Sequence, residues 1–386
     1  MQVKTAPLIA DLEASNKVAG FLSHAANLHC SFCLCTQEQM EDLNLQSWQL
    51  RNSAEVRAQA DTWLHQSTKA GREAQETATG VRWTPLHRLS YWDPVKHVIL
   101  GFMHNWLEGI LKHHLRTLWG IGRDENETQK VREVDQDEQW TEEDVSDSAS
   151  ELDGLRQEAA EHDIEAAREM QVTPPPSSRS PSHLTAESSN SSSTITPPQP
   201  RNFDDLDDDD PDYMPLNTTP FSFTDEELQA IRNCIHDVTL PTWVQRPPTN
   251  LGEPSHGKLK AQEYLVLFTC IFPLIIPEFW HTPGASNLLR QHFHCFHNLV
   301  SATNIISSFK TSNADADAYT QHYIQYREAI QQLFPYHQSK PNHHYAMHNG
   351  DLLKYWGPLP SFSEFPGERL NGMFQKINTN RRLSMF

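Results

Sequence analysis

His29-Cys30-Ser31-Phe32-Cys33-Leu34-Cys35 places two thiols at the C-x-x-C spacing, which lets both thiolates grip one tetrahedral metal from a tight turn. That is half of a zinc site, with Cys30 and Cys33 as its ligands. The other half has several candidates: His29, Cys35 or a distant histidine. The chain has 21 histidines, and Gln291-His292-Phe293-His294-Cys295-Phe296-His297 is their densest run. On a helix the residues of that run face different ways, which counts against them as joint ligands. Reduced cysteines packed in a small core, beside surface histidines, are the plain alternative. His344 and His348, in Pro341-Asn342-His343-His344-Tyr345-Ala346-Met347-His348, are spaced to share one helical face and suit a metal. That string lacks the glutamate and partner of a zinc hydrolase, so packing is its expected role.

Two carboxylates point to different chemistry. Asp11 ends the short apolar run Ala6-Pro7-Leu8-Ile9-Ala10, an expected strand, and Glu368 follows Pro366-Gly367 at the start of an expected short helix. Acids far apart in sequence can converge to hold Mg²⁺ for in-line attack on a phosphodiester. Without such convergence, Glu368 is a first-turn acid favoured by the helix dipole and Asp11 is a strand-end cap. The sequence contains neither G-x-x-x-x-G-K-[ST] nor G-x-S-x-G, so phosphate-loop nucleotide hydrolysis and serine esterase chemistry drop out.

The elements that must position these groups fall into three blocks: 1–122, 123–220 and 221–386. Of 386 residues, 50 are Asp or Glu and 31 Lys or Arg, for a formal charge of −19. Residues 123–220 hold 26 of the acids and 7 of the bases, leaving 24 of each sign elsewhere. The balanced blocks argue against a strongly basic nucleic-acid clamp. The middle block is acidic at first and then Pro/Ser/Thr-rich, a composition that cannot bury enough apolar surface to offset the entropy of ordering. It reads as a disordered insertion able to recruit protein partners, with one polar helix conceivable over Glu151 to Met170.

In the first block, residues 37–75 read as polar helix with Trp48 and Trp63 as anchors. Asp93-Pro94 then introduces a second helix in which Val98, Met103, Leu107, Ile110, Leu111, Leu115 and Leu118 form one buried face. The third block is expected to be mostly helical. Thr224-Asp225-Glu226-Glu227 is an N-cap signal for a helix through about Asp237, and apolar segments follow at 259–280, 286–309 and 315–334. Tyr264 to Trp280 is short for a membrane span and carries Pro273, Pro277 and Glu278, so a buried core helix is expected and no membrane. No secretory signal is visible and six cysteines form no disulfide framework, which points to an intracellular, reducing compartment.

Six ordered segments resemble the transposases of fungal (basidiomycete) CACTA (En/Spm-type) DNA transposons. They are Pro7-Leu8-Ile9-Ala10-Asp11-Leu12-Glu13-Ala14, Cys30-Ser31-Phe32-Cys33, Gly101-Phe102-Met103-His104-Asn105-Trp106-Leu107-Glu108-Gly109, His256-Gly257-Lys258-Leu259-Lys260-Ala261, Pro341-Asn342-His343-His344-Tyr345 and Phe365-Pro366-Gly367-Glu368-Arg369-Leu370-Asn371-Gly372. The match spans both outer blocks and omits the acidic one. It implies an α/β, predominantly helical fold: a partial RNase H-like (DDE/D transposase) core with a helical insertion and a zinc-knuckle-like element. It implies Mg²⁺ or Mn²⁺ held by three carboxylates, transposon-end DNA as partner and a nuclear location, otherwise cytoplasmic. Asp11 matches the second carboxylate and Glu368 the third, Cys30 and Cys33 match a C-x-x-C element, and His104, Arg369 and Asn371 match family motif positions.

Two departures follow. Position 101 is Gly where the family's D-x-M-H string carries Asp, and the first carboxylate would lie upstream of residue 1. The expectation is a transposase-derived, N-terminally truncated and catalytically incomplete protein, with a partner or a second copy covering an open sheet edge. The alternative is a domesticated DNA- or chromatin-associated binding protein without nuclease activity. A basic patch joining Lys258, Lys260, Arg369, Lys376, Arg381 and Arg382 would favour it.

Overall fold

The computed structural model describes residues 7–122 and 221–374 apart from Pro254, His256 and Tyr336, and within the last helix it leaves out the side chains of Glu368, Asn371, Gly372 and Phe374. The chain divides into two units, one formed by Met1–Trp140 with Pro220–Phe386 and the other by Thr141–Thr219. The first and third blocks of the sequence therefore fold together. The acidic block, with its expected disorder and polar helix, lies outside the described residues.

The described part is predominantly helical. α1 (Leu12–Ala19), α2 (Ser53–Leu64) and α3 (Lys69–Thr79) come first. α4 (Phe102–Leu111) and α5 (His114–Leu118) follow, both wound in π register. The second segment supplies α6 (Asp225–Asp237), α7 (Ala261–Val266), α8 (Phe272–Trp280), α9 (Asn287–Ile306), α10 (Asn313–Leu333), α11 (Pro341–Ala346), α12 (Asn349–Trp356) and α13 (Phe365–Phe374). Among the described residues strand pairing is limited to three isolated bridges: Leu8 with Val98 in parallel, and Phe21 with Val81 and Cys33 with Leu50 antiparallel. The helical part of the expected fold class is present, and the described residues display no RNase H-like sheet.

Local chemistry explains most helix starts. Thr224 accepts from the Glu227 amide while Glu227 accepts from the Thr224 amide, a capping box that satisfies two orphan donors of α6. Ser312 and Asp315 do the same for α10. α1 ends at Gly20, whose φ of +89° suits glycine, and a Cβ there would fall 2.5 Å from the Arg82 carbonyl oxygen.

The core forms around α4, α5, α8, α9 and α10. Trp106 is fully buried, donates from Nε1 to Thr303 Oγ1 at 3.2 Å and packs on Tyr319 and Tyr323. Trp119 sits among Phe223, Phe268, Phe272, Trp280 and Phe296. The run Ala261–Trp280 is long and apolar enough to cross a membrane by length and composition. Here Leu267, Phe268, Ile271, Phe272, Ile276 and Trp280 all lie in the core. A π turn, Leu267–Ile271, precedes Pro273, whose ring and missing amide disfavour a regular α turn.

Three expectations need correction. The polar stretch 37–75 is not one helix: it holds two short 3₁₀ turns, Gln37–Gln39 and Leu45–Ser47, then α2 and the start of α3. Its helix-forming composition yields to tertiary pairing, because Leu34 donates to Gln49 O at 2.9 Å and Arg51 to Phe32 O at 2.8 Å. The second helix starts at Phe102 rather than after Pro94, since Val98 and Ile99 pair with Leu8: Leu8 donates to His97 O at 2.8 Å and Ile99 to Leu8 O at 3.2 Å. The run ending at Asp11 contributes a single bridge rather than a strand, and Asp11 itself is the N-cap of α1, accepting from the Ala14 amide at 2.8 Å.

Candidate metal centre

Cys30 and Cys33 lie on a tight turn after α1. The Phe32 amide donates to Cys30 Sγ at 3.3 Å, and the Cys33–Leu50 bridge ties the far end of the turn down. The Arg51 side chain locks the near end, with Nε donating to Cys30 O at 2.8 Å and Nη1 to Thr79 O at 2.9 Å. Across the chain, Pro341 opens α11, where its missing amide is no loss. The helical turn carries His344 and His348 onto one face.

These two pairs meet. One ligand atom from each of Cys30, Cys33, His344 and His348 lies within 4.8 Å of the others, and all four residues are buried. Cys33 Sγ is 3.1 Å from His344 Nε2 and Cys30 Sγ is 3.5 Å from His348 Nε2. A tetrahedral zinc with Zn–S near 2.3 Å and Zn–N near 2.05 Å separates sulfur from nitrogen by about 3.5 Å. The buried Cys2His2 group can therefore bind a metal such as zinc. Two thiolates and two neutral imidazoles also cancel a divalent charge, which matters because an unbalanced charge is expensive away from water.

The surroundings exclude solvent. The Trp48 ring packs on His344 and His348 with centroids 4.6 and 5.4 Å away, and Phe32 packs on His348 at 5.0 Å. Tyr345 Oη accepts from Asn16 Nδ2 at 3.1 Å and donates to the His29 carbonyl, tying α1 and the cysteine turn to α11. Hydrogen bonding to Cys30, with burial, pushes the Cys33 thiol up, and burial holds His348 down to about 4. Burial works to lower His344 as well, but hydrogen bonds with Cys33 and Cys35 outweigh it and leave its net shift upward.

The other candidates fall outside this set. His29 is buried with both ring nitrogens unpartnered and its ring 5.3 Å from His344. Cys35 Sγ donates to Thr36 O at 3.3 Å. In α9, His292 packs on Phe221, Cys295 is buried and His294 contacts Asn298, so the run faces several ways. His344 and His348, expected to serve in packing, instead face the two thiols. Their spacing was the visible signal, and the partner pair more than 300 residues away was not, Cys33 and His344 lying 311 apart.

The expected catalytic acids are less connected. Asp11 is exposed as the α1 cap, and His104 Nδ1 lies 3.2 Å from Glu108 Oε2. Glu368, Arg369 and Asn371 lie on α13; Arg369 is exposed, while the side chains of Glu368 and Asn371 are outside the described residues. A different acid stands where the missing residue 101 side chain would be. A Cβ built on Gly101 falls 1.2 Å from Glu364 Oε1, and Glu364 Oε2 accepts from the Met103 amide at 3.0 Å. Burial pushes the Glu364 carboxyl up. Comparison of the chain with protein-family models, curated proteins and solved structures finds no match.

Proposed function

We propose that this chain is a zinc-stapled, mostly helical protein of CACTA-transposase descent that handles transposon-end DNA without cutting it by itself. The supporting observation is convergence: three of the segments that carry the resemblance touch one another. Cys30 and Cys33 of the second segment meet His344, with His348 three residues beyond the fifth. Asn105 Nδ2 of the third segment donates to Asn342 O at 3.2 Å, and Met103 of the same segment donates to Glu364, which adjoins the sixth. In this reading the metal is zinc, because borderline thiolate and imidazole donors in a closed tetrahedral set suit it, and its role is structural. The helical part corresponds to the insertion of an RNase H-like core.

Cleavage in that class depends on a set of acids holding Mg²⁺ or Mn²⁺. Asp11 and Glu368 are the matched members, and Asp11 already caps α1 through Oδ1. Lys258, Lys260 and Arg369 are exposed and available to phosphate, while Lys376, Arg381 and Arg382 lie outside the described residues. The test is binding and nicking of the element's terminal DNA by folded, zinc-loaded protein in Mg²⁺ and Mn²⁺, beside Glu368→Gln and a scrambled duplex. Salt-dependent binding that prefers terminal DNA, with no nicking, is the expected result. Absence of any preference for terminal DNA would sink the reading, and nicking abolished by Glu368→Gln would show that the acid set is complete.

A further inference from the structure

The neighbour of His344 faces another cluster. His343, on α11, meets His113, between α4 and α5, and His337, in the connection after α10. Their ligand atoms lie within 4.8 Å of one another. The His113 ring centroid is 4.5 Å from that of His337 and 4.6 Å from that of His343. His113 and His343 are buried and His337 half-buried.

Four ring nitrogens here have no hydrogen-bond partner: Nδ1 and Nε2 of His113, Nε2 of His337 and Nε2 of His343. A neutral imidazole always presents one N–H and one lone pair. His113 thus buries both a donor and an acceptor unsatisfied, which normally calls for an unseen partner. We propose that His113, His337 and His343 form a second metal site, for a divalent first-row ion such as zinc, cobalt or nickel, with one coordination position open to water or an external ligand.

The chemistry is consistent with the ligating form. His113 and His343 are buried, where the neutral imidazole with a lone pair to offer is the favoured form. The positive charge nearby is partly answered. The buried Arg327 pairs with Glu41 at 3.2 Å and donates to Ser339 Oγ at 2.8 Å, and Lys340 is exposed to solvent. His343 Nδ1 now accepts from the Lys340 amide at 3.2 Å; a metal on Nε2 moves the ring proton to Nδ1, so loading gives up this hydrogen bond at the N-cap of α11. A tetrahedral ion sets nitrogens about 3.3 Å apart, so the rings close inward on loading, with the half-buried His337 free to move most.

The experiment is Co²⁺ titration of the full chain, read by absorbance and by metal content after desalting. The Cys2His2 centre gives an intense thiolate-to-cobalt charge-transfer band, whereas three imidazoles give d–d bands alone. Expected are two equivalents for the wild type, with the second adding no charge-transfer intensity. His337→Gln and, separately, His113→Gln should lose that second equivalent and keep the thiolate band. Cys30→Ser with Cys33→Ser should lose the band and keep the d–d signal. His337→Gln alters a half-buried loop residue, so it reports even if His113→Gln fails to fold. One equivalent in the wild type, or a second equivalent that survives His337→Gln, overturns the site. Absence of the thiolate band would instead count against the structural zinc centre.

Discussion

α11 and the turn after it present two histidine-bearing faces, and the residues that begin them, His343 and His344, are adjacent. On one face His344 and His348 join two thiols, so a bound dication is neutralised and the set is closed. On the other, His343 joins two imidazoles, so a bound dication keeps its charge near Arg327 and Lys340 and one position stays open. The difference lies in the partners rather than in the helix. A closed set with two thiolates holds structure together, whereas three imidazoles leave a position that accepts a further ligand.

The largest effect should come from breaking the closed face. Cys33→Ser, or chelation of the wild type, should destabilise the folded part by more than about 4 kcal/mol, as loss of a structural metal does. Urea unfolding with and without chelator measures this, and a difference under about 1 kcal/mol would mean the centre is not structural. The His337→Gln variant should shift the same curve far less.

Next in size is the charge balance of the open face. Glu41→Gln leaves the Arg327 guanidinium without its carboxylate partner, and because Glu41 is 45% exposed the expected cost is about 1–3 kcal/mol. The same substitution should weaken Ni²⁺ or Co²⁺ at the three histidines while leaving the thiolate band unchanged. Equal weakening of both sites would dissolve the distinction between the faces.

Protons separate the two faces by a smaller amount. Below the raised value of the Cys33 thiol the metal-free site keeps that proton, and metal binding expels it. Affinity at the closed face should therefore rise at least about tenfold per pH unit. The three histidines are already held neutral, so affinity there should be flat between about pH 7 and 8. Cobalt titrations at those two pH values suffice, and a flat response at the thiols would refute the assignment.

The smallest effect concerns the chain between the halves of the centre. Loop-closure entropy grows only with the logarithm of length. Replacing residues 123–220 by a 20-residue flexible linker should change metal affinity by only about 0.3 kcal/mol. A tenfold change would mean that the acidic block acts on the centre by something other than length.

What the sequence disclosed follows the range of the interactions. The C-x-x-C pair is local, and its spacing alone announced a half site. The buried face of Leu107, Ile110, Leu111, Leu115 and Leu118 is periodic, and all five are buried. His344 and His348 were visible as a pair, but nothing near them in sequence signals thiols 311 residues away, between Cys33 and His344. His113 carries no local signal, because it lies in an apolar helical run whose periodicity marks core rather than ligand. The 37–75 stretch misled for the same reason: its composition favours helix, and only the Cys33–Leu50 pairing, a tertiary event, overrides it.

That separation also sets a clock. Synthesis proceeds at about 5–20 residues per second, so roughly 15–60 s pass between the emergence of Cys33 and that of His344. During that interval the nascent chain carries two thiols without their histidine partners, open to oxidation or to other metals. The order of synthesis thus sets how long the half-built site waits for its histidines.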